Sequence, residues 1–223
     1  LNGLAVILGE AERAKLEAAS PQVAAAMDCV IGTVERLSTQ AGELVAFSVP
    51  GTMRRRRMEL SRCLTGLDRL LSNVLGSEVE LVIDGRQDAG EVHVDPARIE
   101  QIIVHMAINA VDGMGGQGRL TISAGTARLS AGERARLQGH LPERARHDGP
   151  FAVLRVQDTG AGMPQSVAAR IFEPFFTTKR NPENAGLGLA SVLSIVQMHN
   201  GLIDVQSRQG EGTTFLVYFP GVA

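Results

Sequence analysis

Two glycine-rich turns separated by a long connection constrain this chain more than any other feature. Residues 156–190 read VQDTGAGMPQSVAARIFEPFFTTKRNPENAGLGLA. The stretch from Phe151 to Val156 is apolar, which predicts a strand ending on Asp158, and Gly160 and Gly162 follow at once. A carboxylate beside a backbone stripped of side chains is an acceptor that a ligand can approach closely. An exocyclic amino group such as that of adenine suits it. At the far end, Gly186, Leu187, Gly188 and Leu189 precede the apolar run Val192, Leu193, Ile195 and Val196. That order predicts a helix whose bare N-terminal amides favour phosphate oxygens. Taken singly, each turn is just as readily a plain link between a strand and a helix. Together, and in this order, they predict a nucleotide site, with the base at one turn and the phosphates at the other.

The same residues carry a family resemblance. DTGAGM resembles the first glycine box of the histidine-kinase ATPase domain, IFEPFFTTK its phenylalanine box, AGLGLA its second glycine box and GEGTTF its last. The hybrid-type sensor kinases of two-component systems are the branch it most resembles, over nearly the whole chain. The resemblance implies ATP and Mg2+ as ligands, and an α/β sandwich with a mixed sheet covered by helices. It also implies phosphoryl transfer to a histidine, then relay to an aspartate on the receiver domain of a response regulator. Under it, residues 163–185 are a lid over the nucleotide and Thr214 lies near the adenine.

Composition bounds the alternatives. A chain of 223 residues with 44% hydrophobic content can bury one good core, or a moderate core plus a helical appendage. A formal charge of −2 argues against nucleic acid as the main partner. No apolar run approaches the roughly 18 residues that span a bilayer, and no signal-peptide pattern opens the chain. A cytoplasmic domain is expected, tied to a membrane only through an input domain upstream. Cys29 and Cys63 lack metal-ligand spacing and read as small buried apolar groups.

The opening residues predict two helices. Leu1, Leu4, Leu8 and Ala11 share one face, Ser20 and Pro21 supply a break with Ser20 as N-cap, and Val23, Met27, Val30, Val34, Leu37, Ala41 and Leu44 then follow steps of four and three. An antiparallel hairpin over residues 1–50 with one apolar stripe per helix leaves two solutions: a four-helix bundle as a homodimer, or packing on its own globular domain. The hairpin resembles the family's dimerisation and phosphotransfer domain. Asn2 and the residues after it then place the phosphoacceptor histidine, and its acidic neighbour, just before Leu1; the first histidine in the chain is His93.

Residues 42–57, with Val49, Pro50, Gly51 and the run Arg54, Arg55, Arg56 and Arg57, are expected to be a linker. Its arginines form a solvated face or meet an acidic partner. Beyond it a domain over 55–223 is expected, opening with a strand near 58–60, a helix near 61–74, and strands at 79–83 and 92–94. The next helix is the most informative. Asp95 and Pro96 start it, and Ile99, Ile102, Ile103, Met106, Ala107, Ala110 and Met114 form its apolar side. Gln101, His105, Asn109 and Asp112 fall at steps of four, four and three, a polar stripe suited to lining something wet.

In the family this helix is the asparagine box, and Asn109 matches its magnesium-binding asparagine. His105 departs from the asparagine usual there, while gyrase-like relatives place a water-activating glutamate at that position. A neutral imidazole can hold a water or meet a phosphate, or be a hydrogen-bonded packing histidine. Asp112 matches the hybrid-type box.

Residues 119–127 predict a strand, and 129–150 a polar excursion with a short helix at SAGERARLQ and two loop histidines, His140 and His147. The lid contains Pro164, Pro174 and Pro182 and should be partly irregular and mobile. Phe172, Phe175 and Phe176 suggest an apolar latch, and Lys179 is either a surface lysine or a phosphate contact. Asn184 stands where the family usually has glycine. A helix should end at His199, Asn200 and Gly201, where a histidine suits the negative helix end. Strands at 202–207 and 213–219 follow, turning at Gly210 and Gly212. Three functions fit: a histidine kinase, an ATPase switch like that of the gyrase and chaperone relatives, and a docking module that only recruits a receiver protein.

Overall fold

A computed structural model describes residues 2–17, 20–48, 53–71, 75–85, 89–137, 149–179 and 186–222, and for 2–5 and 35–48 the backbone alone. Two helices open the chain, α1 (Asn2–Leu16) and α2 (Pro21–Ser48). Ser20 Oγ accepts the Val23 N–H at 3.3 Å, the cap expected of it. The helices lie against each other, with Lys15 Nζ 2.6 Å from Asp28 Oδ1 and Ala11 and Val34 buried. The expected stripe is partly open: Val23 and Val30 are exposed while Leu8 and Met27 are half-buried, and Val6, Ile7 and Leu16, which lie off it, are exposed as well. Cys29 on α2 is exposed, contrary to expectation. It lies off the α2 stripe of Val23, Met27, Val30 and Val34, so the helix turns it away from the face that packs. Cys63 is buried as expected, and burial pushes its thiol up to about 11.

The arginine run is not a free linker. Residues 56 and 57 enter strand β1 (Arg56–Glu59), which pairs antiparallel with β3 (Glu91–Val94). Ahead of it the Arg54 N–H donates to Asp95 Oδ2 at 2.9 Å, and the Arg55 guanidinium donates to the Met198 carbonyl. The helix expected near 61–74 is broken into a 3-10 turn, Leu60–Leu64, and a short α3, Leu67–Leu71. Gly66, at φ +82°, takes the turn between them; residues 72–74 fall outside the described part.

The main sheet has five strands in the order β2-β4-β5-β7-β6: β2 (Val79–Asp84), β4 (Gly118–Ala127), β5 (Phe151–Asp158), β6 (Leu202–Arg208) and β7 (Gly212–Pro220). β2 and β4 are parallel and every other pair is antiparallel, so the sheet is mixed, as expected. The crossover from β2 to β4 carries α4 (Pro96–Gly113). After a short α6 (Gln165–Ala168), α7 (Gly188–Met198) packs beside α4, and all seven apolar positions assigned to α4's buried side are buried.

Period-two alternation decides which strand residues meet these helices. Leu120, Ile122, Leu154, Val156, Phe215, Val217 and Phe219 join the core with α4 and α7. Phe151, Leu202, Leu216 and Tyr218 form a smaller cluster on the opposite face, partly covered by Leu129 and Leu137, which flank the short helix α5 (Ala131–Arg136). Ser130 and Glu133 close a capping box on α5. His140 and His147 lie outside the described residues. The whole is an α+β fold with helices covering one face of a mixed sheet.

His199 ends α7 as expected, but not as a cation. It is buried, its Nε2 accepts the Asp95 N–H at 3.1 Å, and its Nδ1 therefore donates to the Ile195 carbonyl at 2.8 Å. Burial lowers its pKa. Asn200, at φ +56°, supplies the left-handed residue that ends the helix.

Candidate functional site

The site is built where β5 runs out beneath α4 and α7. Asp158 shares the core-facing row with Leu154 and Val156, so its side chain, only 7% exposed, emerges at the end of that row. Its Oδ1 accepts two backbone N–H groups, Gly160 at 2.8 Å and Thr213 at 3.2 Å. Among the described residues Oδ2 has no hydrogen-bond partner, which leaves one carboxylate oxygen for a ligand donor. Burial raises the Asp158 pKa, and the two N–H donors oppose that rise.

The turn after Asp158 is clamped from both sides. Ala161 N–H donates to Gly113 O at 2.9 Å at the end of α4, and Ala161 O accepts from Gly210 N–H at 2.7 Å in the β6–β7 hairpin. Ser207 Oγ accepts the Met163 N–H at 2.9 Å and lies 2.9 Å from Thr213 Oγ1. Gly162 is held at φ +61° with its Cα against the Arg208 carbonyl, so no side chain fits there.

Asp158, Ala161, Gly162, Met163 and Thr213 form one end of a cavity of about 400 Å³, within the range of small-molecule sites. His105, Asn109 and Asp112 line it from α4, and Gly186, Leu187, Gly188 and Leu189 from the start of α7. Gly186 sits at φ +68°, packed on the Phe175 and Phe176 backbone, and its carbonyl accepts the Phe175 N–H at 3.1 Å. At Gly188 an added Cβ would lie 3.5 Å from His105 Nδ1, so the imidazole faces the first turn of α7. Burial lowers the His105 pKa and keeps the ring neutral.

Most of the expected site residues come together here, with three differences. Thr214 does not line the cavity; it shares the opposite sheet face with Leu216 and Tyr218, and Thr213 takes the place expected of it. Gly160 supports rather than lines: its N–H holds Asp158, and a Cβ there would meet Gly113 O at 2.6 Å. Gln101, at the far end of the polar stripe, accepts from Arg98 at 2.9 Å and stays outside. The three phenylalanines also divide. Phe172 is buried in the core, Phe176 lines the cavity with the Arg170 guanidinium 4.3 Å from its ring centroid, and Phe175 is 67% exposed at φ +65°. Asn184 and Pro182 lie outside the described residues.

Sequence reasoning missed Ser207 and Thr213. Alternation offers a signal for the second: Thr213 is two residues before Phe215, in the row of Val217 and Phe219. No local signal marks Ser207, whose role depends on pairing with β7.

Lys179 reaches across to α4. Its ammonium donates to Asn109 Oδ1 at 3.3 Å and pairs with Asp112 Oδ2. The contact shows that these two oxygens accept a cation. Among the described residues no three His, Cys, Asp or Glu side chains gather in a metal-binding group. An amide oxygen and a carboxylate oxygen are the hard donors that magnesium takes from a protein when phosphates and waters supply the rest. Cavity size, the Asp158 acceptor and the bare start of α7 suit a nucleotide.

The family described as histidine kinase-, DNA gyrase B-, and HSP90-like ATPase matches residues 94–222, which contain every cavity residue. Sensor kinase CckA of Brucella abortus (strain 2308) is 37% identical over 186 residues, covering 83% of this chain and 19% of the relative. The chain thus spans about a fifth of that protein's length. The solved structure of full-length ShkA in complex with AMPPNP superposes with a TM-score of 0.75 at 20% identity, over 100% of this chain and 44% of that one. Histidine kinase ThkA in complex with response regulator protein TrrA gives 0.65 at 19% identity, over 99% and 58%. These likenesses establish the fold, and the match over 94–222 establishes the family: the chain belongs to the histidine kinase-, DNA gyrase B- and HSP90-like ATPases.

Proposed function

We propose that this chain is the core of a two-component sensor histidine kinase, with a helical hairpin at about residues 1–50 and an ATP-binding domain at about 55–223. The hairpin dimerises and carries the acceptor histidine upstream of Leu1. A response-regulator receiver domain takes the phosphoryl group, and the core works in the cytoplasm. The observation that carries the reading is one cavity holding both Asp158, backed by the Gly160 and Thr213 amides, and the bare N-terminus of α7. Membership of the family supports ATP, and the relatives named sensor kinases support phosphotransfer.

In this reading Asp158 accepts the adenine amino group and Phe176 and Met163 give the base apolar contact. The Gly186 and Gly188 amides meet phosphate oxygens, with Lys179 as a counter-charge. Asn109 would hold magnesium, which supplies charge neutralisation on the phosphates. γ-Phosphoryl transfer needs little covalent help from the protein, so these residues act by positioning and electrostatics. A second reading, an ATPase switch, is favoured by His105, a neutral imidazole in the cavity at the position where gyrase-like relatives place a water-activating glutamate. The two separate cleanly. A protein extended upstream of Leu1 and given γ-labelled ATP with magnesium acquires acid-labile label on its first helix if it is a kinase. Phosphate release with no label on the protein contradicts the kinase and supports the switch.

A further inference from the structure

The contact between Lys179 and α4 has a chemical peculiarity. Asn109 and Asp112 lie one turn apart on α4, present two oxygens to the same cavity, and both are engaged by one ammonium, 70 and 67 residues away in sequence. The side chains of Lys179 and Asp112 are 32% and 38% exposed, at the mouth rather than in the core. A pair this accessible is weakly held by Coulomb attraction and open to exchange. An amide oxygen beside a carboxylate is also a hard donor set that prefers a divalent cation to an ammonium. Phosphates at the start of α7 would in turn draw Lys179 away from Asp112.

We infer that Lys179 is a resident cation that holds the Asn109–Asp112 oxygens and competes there with the divalent ion accompanying a nucleoside triphosphate, so that this lysine sets how strongly nucleotide binding depends on magnesium. The inference rests on the nucleotide reading above and adds a regulator to that site. Asp112 has a defined part in it: it keeps the ammonium at the cavity, and without Lys179 its charge is left facing the phosphates.

The test is calorimetric titration of a non-hydrolysable ATP analogue, in EDTA and in saturating magnesium, against the full chain and its Lys179→Met, Lys179→Arg and Lys179→Met/Asp112→Asn variants. In EDTA, Lys179→Met should weaken binding about tenfold or more, because the ammonium is gone and the carboxylate is unopposed. In magnesium the loss should shrink to about threefold or less, since the ion takes over the vacated oxygens. The magnesium effect therefore grows in Lys179→Met, returns towards the wild-type value when Asp112 is also neutralised, and stays near wild type in Lys179→Arg. Equal weakening of Lys179→Met with and without magnesium overturns the inference, as does a magnesium effect that ignores Asp112. Adenosine should bind all four proteins alike, which shows the base end intact. If the wild-type chain takes up no analogue at all, the nucleotide reading fails instead.

Discussion

The His199 imidazole accepts the backbone N–H of Asp95 at 3.1 Å, joining the end of α7 to the start of α4. Asp95 in turn caps α4 through Ala97 N–H at 3.2 Å and receives the Arg54 N–H at 2.9 Å. The two helices that line the cavity are thus pinned at their far ends, at the point where the chain arrives from the hairpin.

That pin predicts acid sensitivity. Burial holds the folded His199 pKa below its ordinary value of 6.5, so the unfolded chain binds the proton more readily. Stability is then fully present above 6.5 and is lost as pH falls below it. His105 adds the same sign. Urea midpoints should fall between pH 7.5 and 5.5, and His199→Gln, which keeps an acceptor but cannot titrate, should flatten the slope. His199→Ala leaves the Asp95 N–H unpaired and should cost about 1–3 kcal/mol. A midpoint independent of pH in the parent chain would refute this.

The two glycines at the start of α7 should behave differently. Gly186→Ala places a Cβ 2.6 Å from Phe175 carbonyl carbon in a left-handed residue, so it should cost about 1–3 kcal/mol or more. Gly188→Ala meets only ordinary contact, at 3.5 Å from His105 Nδ1. It should fold normally and lose nucleotide affinity by crowding the phosphates. Denaturation should separate the two, with Gly186→Ala destabilised and Gly188→Ala near the parent chain, while nucleotide binding falls in Gly188→Ala without loss of stability.

Thr213 and Thr214 offer a sharper contrast. Thr213→Val removes the hydroxyl paired with Ser207 on the cavity face and should weaken nucleotide binding and stability, by about 0.5–1.5 kcal/mol in the latter. Thr214→Val, on the opposite face, should leave binding unchanged. Equal effects would contradict the assigned strand register.

The sequence made the site legible where chemistry is local. Asp158, the two glycine turns and the α4 stripe announce themselves through strand endings, glycine placement and helical period. What it hid depends on pairing between distant segments. Thr214 was expected at the site because a motif match locates a box but not the parity of a strand, and parity put Thr213 there instead. The four arginines look like a solvated linker in isolation, yet Arg54 and Arg55 find acceptors on Asp95 and at the end of α7, some 40 and 140 residues on. His199 looks like a cation at a helix end; only the approach of the Asp95 amide shows that it must be a neutral acceptor.

The central claim is that a purine nucleotide lies between Asp158 and the start of α7. Calorimetric titration of the full chain with a non-hydrolysable ATP analogue and magnesium tests it most directly. The account predicts one saturable site per chain. In Asp158→Asn, which loses a charged acceptor worth about 1.5–3 kcal/mol, affinity should fall by at least tenfold with the fold intact. A folded wild-type chain that shows no binding, or an Asp158→Asn variant that binds as tightly as wild type, would contradict it.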